Sequence, residues 1–269
     1  MHKRLLLLSI AALSFAGTHR VFATPSTTYW TPGTMDVQGF LVPHITLDNY
    51  FTVAKKGVGS RGQAFPTDFG LTMGVLPFEK LNLEVGFDWF EPTDHPLFLN
   101  AKLGIPENAL FTESPGLNLG IFNVGTETSG PGRTDQNIVD VVVGKTIPYV
   151  GRFHVAYYIG NKPALELGDS GRDHQGFMVA YDRWLIKDRL MLAADYASGK
   201  NAIGGGGVGL YFFFTPQIDL LVGPVWFNDH SINGRMKWTT QLDINFDFRD
   251  FWPFAGHGSG DSASPTTGS

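Results

Sequence analysis

Three histidines of this chain directly follow an aspartate, which makes them candidates for chemistry. A carboxylate beside an imidazole can orient the ring and help it to activate water, as in general-base hydrolysis or at a metal site. Short polar residues also gather at loop starts by turn preference alone. The hydrolytic interpretation requires the three pairs to converge in space, which the sequence does not show. The pairs are Asp94-His95, Asp173-His174 and Asp229-His230.

A serine nucleophile with a histidine base is the other enzymatic arrangement to consider. His230 and Ser231 are adjacent, so their side chains would point to opposite faces of any strand. His154 has no serine two residues away in either direction. The glycine run 204–207 lacks the lysine and hydroxyl residue of a phosphate-binding loop. We therefore predict no catalytic residue, no cofactor and no metal site, and a loop hydrolase built on the Asp-His pairs stays the minor alternative.

A larger set of polar residues is defined by strand alternation. Residues 238–248 and 81–89 alternate between apolar and polar side chains. Because successive side chains point to opposite faces of a strand, each segment has one apolar and one polar face. If the apolar faces meet lipid, the polar faces line an interior, with Gln241 and Asn245 among them. The predicted pore-lining residues are Asp48, Glu84, Asp88, Asn100, Lys102, His154, Asp182, Asp195, Asp243 and Asp247.

Carboxylates outnumber cations in this set. Charges of one sign along a water-filled passage favour ions of the opposite sign, so the set predicts a passage biased toward cations or neutral polar solutes. The alternative is that these groups pair with arginines and fill a plugged interior, since barrels of modest strand number fill their interior with side chains.

The same alternation recurs in several segments of the chain, and five further segments are apolar on both faces or contain glycine. Counting one strand in each region predicts 12 strands. Short connectors at 77–80, 147–150, 185–188 and 215–217 alternate with longer polar ones, and 106–115 is an exception on the short side. Short turns at one end and longer loops at the other are typical of membrane barrels. The predicted strands are roughly 44–54, 66–76, 80–90, 96–105, 114–125, 135–146, 150–160, 174–184, 187–198, 203–214, 217–228 and 237–248.

The two ends of the chain predict export and a loose tail. Basic residues, a short apolar stretch and the small-residue pattern ending at Ala23 predict a cleaved signal peptide over residues 1–23. Residues 249–269 lose periodicity and predict a flexible tail after a barrel domain over 24–248. Residues 24–43 are ambiguous, because Pro43 cannot donate to a central ladder. They predict either a bent start of the first strand or an inward-folded piece.

Composition excludes other classes. The chain has 269 residues, no cysteine, a net charge of −5 and no basic cluster after its first residues, which argues against nucleic acid as a partner. Charged residues make up 17 % and aromatic residues 13 %, and the charged share is below the roughly 25 % of soluble domains. No second long apolar run follows Ala23, so a helical membrane protein is excluded. Strands must do any membrane crossing.

With its export signal, alternating strands, alternating loop lengths and closing strand ending in Phe246 and Phe248, the chain resembles Gram-negative outer-membrane β-barrel proteins as a class. The resemblance implies an all-β fold, an antiparallel transmembrane β-barrel in the outer membrane, with membrane lipid and small solutes or ions as partners. It favours a channel over an enzyme. A soluble β-sandwich and a structural or adhesive barrel are the remaining alternatives, because alternation alone does not say which face is dry.

Overall fold

The computed structural model describes residues 27–53, 66–130, 132–166 and 173–248. Twelve antiparallel strands, each paired with its sequence neighbours, form a closed barrel in which β1 also pairs with β12. The strands are β1 Pro43–Phe51, β2 Thr67–Gly74, β3 Asn82–Glu91, β4 Leu97–Ile105, β5 Gly116–Gly125, β6 Ile138–Ile147, β7 Gly151–Ile159, β8 Gln175–Ile186, β9 Leu190–Ala197, β10 Gly205–Thr215, β11 Ile218–Phe227 and β12 Met236–Asn245. The predicted fold class and strand count are confirmed.

The alternation of side chains decides which face is dry. In β12 every second residue is buried inside the barrel and the residues between are partly exposed outside. Along β5 and β7 the outward side chains are large and apolar, with Leu119 52 % and Val155 58 % exposed. Polar residues such as Asp140, His154 and Gln241 are buried instead. The soluble-sandwich alternative is therefore wrong, because one closed sheet with an apolar outside replaces two packed sheets.

Every predicted strand end lies within three residues of the observed one. The closing strand is the instructive difference, because it ends at Asn245 rather than Phe248. The Phe246 amide donates to the Pro43 carbonyl at 3.4 Å, and the Phe248 amide donates to the Leu41 carbonyl at 3.0 Å. The chain beyond Asn245 thus follows the residues that precede β1, past the last position where β11 and β1 both offer partners.

The two ends of the barrel differ in their connections. We call the end with the connections after β2, β4, β6, β8 and β10 the short-turn end, and the opposite end the long-loop end. Two one-turn helices lie at the long-loop end, α1 Lys162–Leu165 and α2 His230–Asn233. No helix in the described part of the chain is long and apolar enough to cross a membrane.

The connection 106–115 lies at the short-turn end although it is long, and the strands on either side of it are β4 and β5 as predicted. Its Glu107 carboxylate accepts hydrogen bonds from the backbone amide and hydroxyl of Thr146, and it lies 3.3 Å from the Lys145 ammonium. Burial alone would raise the pKa of Glu107, but the Thr146 and Lys145 interactions hold it below its usual range. The connection is therefore fastened to the end of β6.

Residues 27–42 lie inside the barrel, and we call them the inner segment. Near its end Phe40 bridges to Gly74, at the short-turn end of β2. Its earlier residues contact β8 to β12, so the segment crosses the interior before it enters β1. Of the two possibilities that the sequence left open for this stretch, the inward-folded piece is the one observed.

Apolar interior positions are covered by this segment and by a loop. Tyr29 packs with Met191, Tyr211 and Leu221 in one buried cluster. Leu165 of α1 packs with Ile138, Tyr158 and Met178 in another. Strands β6, β8, β10 and β11 carry apolar residues on both faces for this reason, since their inner faces meet protein rather than water.

Candidate functional site

In the part of the barrel that the structure describes, a cavity lies on each side of the inner segment. The larger, of about 430 Å³, lies toward the long-loop end and is lined on one side by segment residues 27, 29, 30, 31 and 32. The smaller, of about 370 Å³, lies toward the short-turn end and is lined by Met35, Asp36 and Val37 of the same segment. The segment thus stands between the cavities, which makes it the narrowing element of any path through the barrel.

The ten residues predicted to line a pore all have buried or partly buried side chains on the interior side. Six of them line the larger cavity: Asp48, Glu84, Asp88, Asn100, Lys102 and Asp243. His154, Asp182 and Asp195 lie against the inner segment or its binding partners, and Asp247 is buried just beyond β12. Their role in lining a pore stays a prediction, but the structure divides them into cavity residues and holding residues.

Asp195 of β9 holds the first part of the inner segment. One carboxylate oxygen accepts the backbone amides of Tyr29, Trp30 and Thr31 at 3.0, 2.8 and 2.7 Å. Three amides on one buried carboxylate oxygen give charge-assisted bonds, which are stronger than neutral ones. The chain on either side is therefore fixed against the wall of β9.

Tyr29 fits a slot made by glycine. A Cβ atom added at Gly207 or Gly209 would lie 2.3 or 2.4 Å from the Tyr29 ring, and one at Gly223 would lie 2.6 Å from its hydroxyl oxygen. That hydroxyl donates to the Pro224 carbonyl at 3.0 Å. Glycines of β10 and β11 thus make room for this ring.

Arg152 of β7 holds the middle of the segment. Its guanidinium donates to Asp36 of the segment and to Asp182 of β8, each at 2.7 Å. The Met35 amide donates to Nδ1 of His154, so the ring proton sits on Nε2, which faces Asp182 at 3.2 Å. Segment and wall share one network of buried charges.

Smaller contacts complete the attachment. The backbone N–H of Gln38 donates to the Glu84 carboxylate at 2.9 Å, and the Asn118 side-chain amide donates to the Thr34 carbonyl at 2.8 Å. The Gln241 amide group donates to the Tyr29 carbonyl at 3.1 Å. Bonds therefore reach the segment from β3, β5 and β12 as well as from β7 and β9.

Six carboxylates line the larger cavity, and five of them are aspartates. Asp48 and Asp68 are direct partners across β1 and β2, and Asp88 on β3 is paired with Gly70, the next inward position of β2. Asn100 donates to Asp88 at 2.6 Å, and Thr46 donates to Asp48 at 2.6 Å. We call the set Asp48, Asp68, Asp88, Asp140 and Asp243 the carboxylate band.

Several site residues escaped the sequence reasoning. Arg152 shares the inward face of β7 with His154, and Asp68 shares that of β2 with Gly70. Both residues were missed, although the alternation of side chains would have identified them. Asp140 lies among valines in a strand that is apolar on both faces, and the pattern gave no signal there. Tyr29, Trp30 and Asp36 lie in irregular chain, where periodicity offers nothing.

In each of the three Asp-His pairs at least one member contacts a residue other than its neighbour. His95 lies 3.8 Å from Glu127, and His174 lies 3.4 Å from Glu166. Asp173 accepts the Lys200 amide, and Asp229 caps α2 through Ser231. Within the described residues no group of three or more histidines and carboxylates is placed to hold a metal ion. Asp173 and Asp229 fill structural roles of the kind that turn preference assigns to aspartate.

Truncation of Tyr29 tests how the segment is held. We expect Tyr29→Ala to expose the inner segment to protease in the folded, detergent-solubilised chain, because loss of a buried aromatic side chain costs about 3–5 kcal/mol and Tyr29 is 1 % exposed. Cleavage is followed by mass spectrometry. Tyr149→Ala is the matched control, since Tyr149 is 97 % exposed. Equal protection of wild type and Tyr29→Ala would contradict the slot as a holding site.

Comparisons with known proteins find likeness in structure only. No protein-family model matches the chain, and no curated protein matches it in sequence. Among solved structures, an outer-membrane channel of Pseudomonas putida F1 matches with 12 % identity and a TM-score of 0.46, over 83 % of this chain and 100 % of that one.

Two porins are similar in the same way. The KdgM porin matches with 9 % identity and a TM-score of 0.49, over 76 % of this chain and 99 % of its own. The NanC porin matches with 10 % identity and a TM-score of 0.46, over 76 % of this chain and 98 % of its own. At these identities the likeness concerns the fold alone. The chain resembles outer-membrane barrels as a class.

Proposed function

We propose that this chain is an outer-membrane channel for passive passage of small solutes, biased toward cations and narrowed by its inner segment. The observation that carries the proposal is a closed barrel with apolar side chains outside and a cavity lined by carboxylates inside. The signal peptide predicted over residues 1–23 lies outside the described residues and is part of the proposal. So is the orientation, with the long-loop end outside the cell.

The outer surface supports a membrane location. Large apolar side chains are exposed on successive strands, where water would contact them in a soluble protein. Bacterial single-chain barrels have an even number of strands and an outward apolar band, and this barrel has 12 strands. The outward apolar residues include Leu99, Leu119, Val141, Val155, Phe177 and Phe212.

The interior supports selective passage. Six carboxylates line the larger cavity with Lys102 as the lysine among its lining residues. A solute that crosses must also pass the inner segment, which separates this cavity from the one at the short-turn end. Charge therefore sets the preference, and the segment sets the size limit.

A planar bilayer measurement tests the proposal. We expect the purified full chain to conduct potassium chloride, and a salt gradient to give a reversal potential of the sign that cation preference requires. Liposome swelling with neutral sugars of increasing size measures the size limit. A folded, bilayer-inserted protein with no current and no sugar flux would overturn the channel, and an anion-signed potential would overturn the cation bias alone.

A further inference from the structure

The larger cavity combines two kinds of lining that the channel proposal does not explain. Toward the long-loop end, Phe90, Phe98 and Phe122 face the cavity from β3, β4 and β5, and we call them the aromatic collar. Phe90 and Phe98 meet edge to face with ring centroids 5.1 Å apart. Water-filled passages for simple ions need no such collar, so it points to a solute with an apolar part.

Collar and carboxylate band alternate along the wall. Phe90 is the direct cross-strand partner of Asp68, and Phe98 is that of Asp88. Direct partners have Cβ atoms about 4.5–5.5 Å apart. Phe90 is also two residues from Asp88 on the same face of β3, a rise of about 7 Å. A solute whose positive charge lies a few ångströms from an aromatic ring would contact both kinds of side chain at once.

Some carboxylate oxygens of the band are available to accept hydrogen bonds from a bound solute, and Asp140 is the main example. It is 1 % exposed, it lines the cavity, and neither of its carboxylate oxygens accepts a hydrogen bond from a side chain among the described residues. One oxygen of Asp68 is in the same state. A buried carboxylate oxygen without a donor is costly, and an N–H donor that carries positive charge is the best match for it. Lys102 supplies charge near Asp140 from β4.

The spacing of the carboxylates favours an organic cation over a metal ion. In the described part of the chain no group of three or more carboxylates and histidines is close enough to bind one metal. The acids instead spread over five strands around a cavity of about 430 Å³. Aromatic faces attract ammonium and guanidinium groups, and they also pack against apolar carbon.

We propose that the larger cavity is a binding site for small organic cations that carry an aromatic or apolar group, which enter from the long-loop end. The ammonium or guanidinium group donates to Asp68 and Asp88 beside the collar, Asp140 on β6 adds its negative charge to the same cavity, and the apolar group packs against Phe90 and Phe98. This inference rests on the proposed channel, and it names the class of solute that the channel selects.

The first experiment uses probes and needs no variant. Phenethylammonium, phenethyl alcohol and 3-phenylpropionate share a ring and differ in charge, and ethylammonium keeps the charge without the ring. Calorimetric titration of the detergent-solubilised full chain, corrected for empty micelles, should show about tenfold tighter binding of phenethylammonium than of the other three. Equal binding of the alcohol or the carboxylate would overturn the proposal, as would equal binding of ethylammonium.

Variants then locate the site. Asp140→Asn and Asp68→Asn should each weaken phenethylammonium binding about five- to tenfold, because each removes one charged acceptor. Phe90→Leu should reduce the preference over ethylammonium. Glu79→Gln, a matched change in the exposed turn before β3, should leave binding unchanged. Wild-type affinity in both aspartate variants, shown to be folded by their far-ultraviolet circular dichroism, would place the cation elsewhere and overturn the assignment.

Bilayer current in potassium chloride separates this inference from the channel itself. We expect phenethylammonium on the long-loop side to reduce the potassium current in a concentration-dependent way. If the channel conducts potassium and its current stays unchanged at saturating phenethylammonium concentrations, the proposed solute class is overturned and the channel proposal stands. No current under any condition would overturn the channel, and the titrations would then still decide the binding site.

Discussion

Deletion of residues 28–38 is expected to raise the single-channel current of the barrel at least about twofold in molar potassium chloride, since the narrowest part of a pore dominates its resistance. The deleted residues separate the two interior cavities. They include Tyr29, which fits the glycine slot, and Asp36, which binds Arg152. Strands β1 to β12 are left intact, so the closed sheet should still form.

A point variant gives the same test with less disturbance. Asp195→Ala should produce larger and noisier currents than wild type, because the amides of Tyr29, Trp30 and Thr31 lose their common acceptor. Asp94→Ala makes the same chemical change in the short loop after β3 and should leave the current unaltered. If the deleted chain conducts no more than wild type, ions bypass the segment and its narrowing role is refuted.

Replacement of Asp48, Asp88 and Asp243 together by asparagine is expected to move the reversal potential in a salt gradient most of the way to zero. These three carboxylates lie on β1, β3 and β12 around the larger cavity. Fixed charges attract counter-ions over roughly the Debye length, which is about 10 Å at 0.1 M salt and about 3 Å at 1 M. The effect of the substitutions should therefore be largest in dilute salt.

Lys102 offers a control of opposite sign. It lines the same cavity, and its ammonium lies 3.5 Å from the Asp36 carbonyl. Lys102→Gln removes a positive charge, so it should strengthen cation preference where the triple variant weakens it. Glu79→Gln, outside the barrel interior, should change neither. A triple variant that keeps the wild-type reversal potential would show that selectivity is set at the inner segment or the loops.

The strands were predictable because they repeat a simple pattern. Alternation with period two located the strands that have one polar face, whereas others, such as β6, are apolar on both faces or contain glycine. The polar faces pointed to residues that are buried in the interior. The physical reason is that successive side chains point to opposite faces of the sheet, so apolar residues are favoured on the lipid side and polar residues on the interior side. The end of β12 lies earlier than predicted, because Phe246 and Phe248 continue the pattern after β11 has run out of partners and only the chain around the start of β1 still faces them.

The interior was predictable only in part. Residues 27–42 carry no strong period, and their partners lie far along the chain, as between Tyr29 and Asp195 or Met35 and His154. Such pairings depend on closure of the whole barrel, so no local pattern encodes them. Trp30 is an example, because its indole N–H donates inside the barrel to the Ile203 carbonyl at 2.9 Å, 173 residues along the chain.

The covalent link between the inner segment and β1 at Pro43 has a consequence of its own. A segment that lets go of Asp195 and Arg152 cannot diffuse away, so it returns at an effective concentration that is roughly millimolar for a short tether. A permeating solute that needs those groups competes with a resident, tethered ligand. Occupancy by solute then rises with external supply and falls back when supply ends, without any second protein or energy source to restore the closed arrangement.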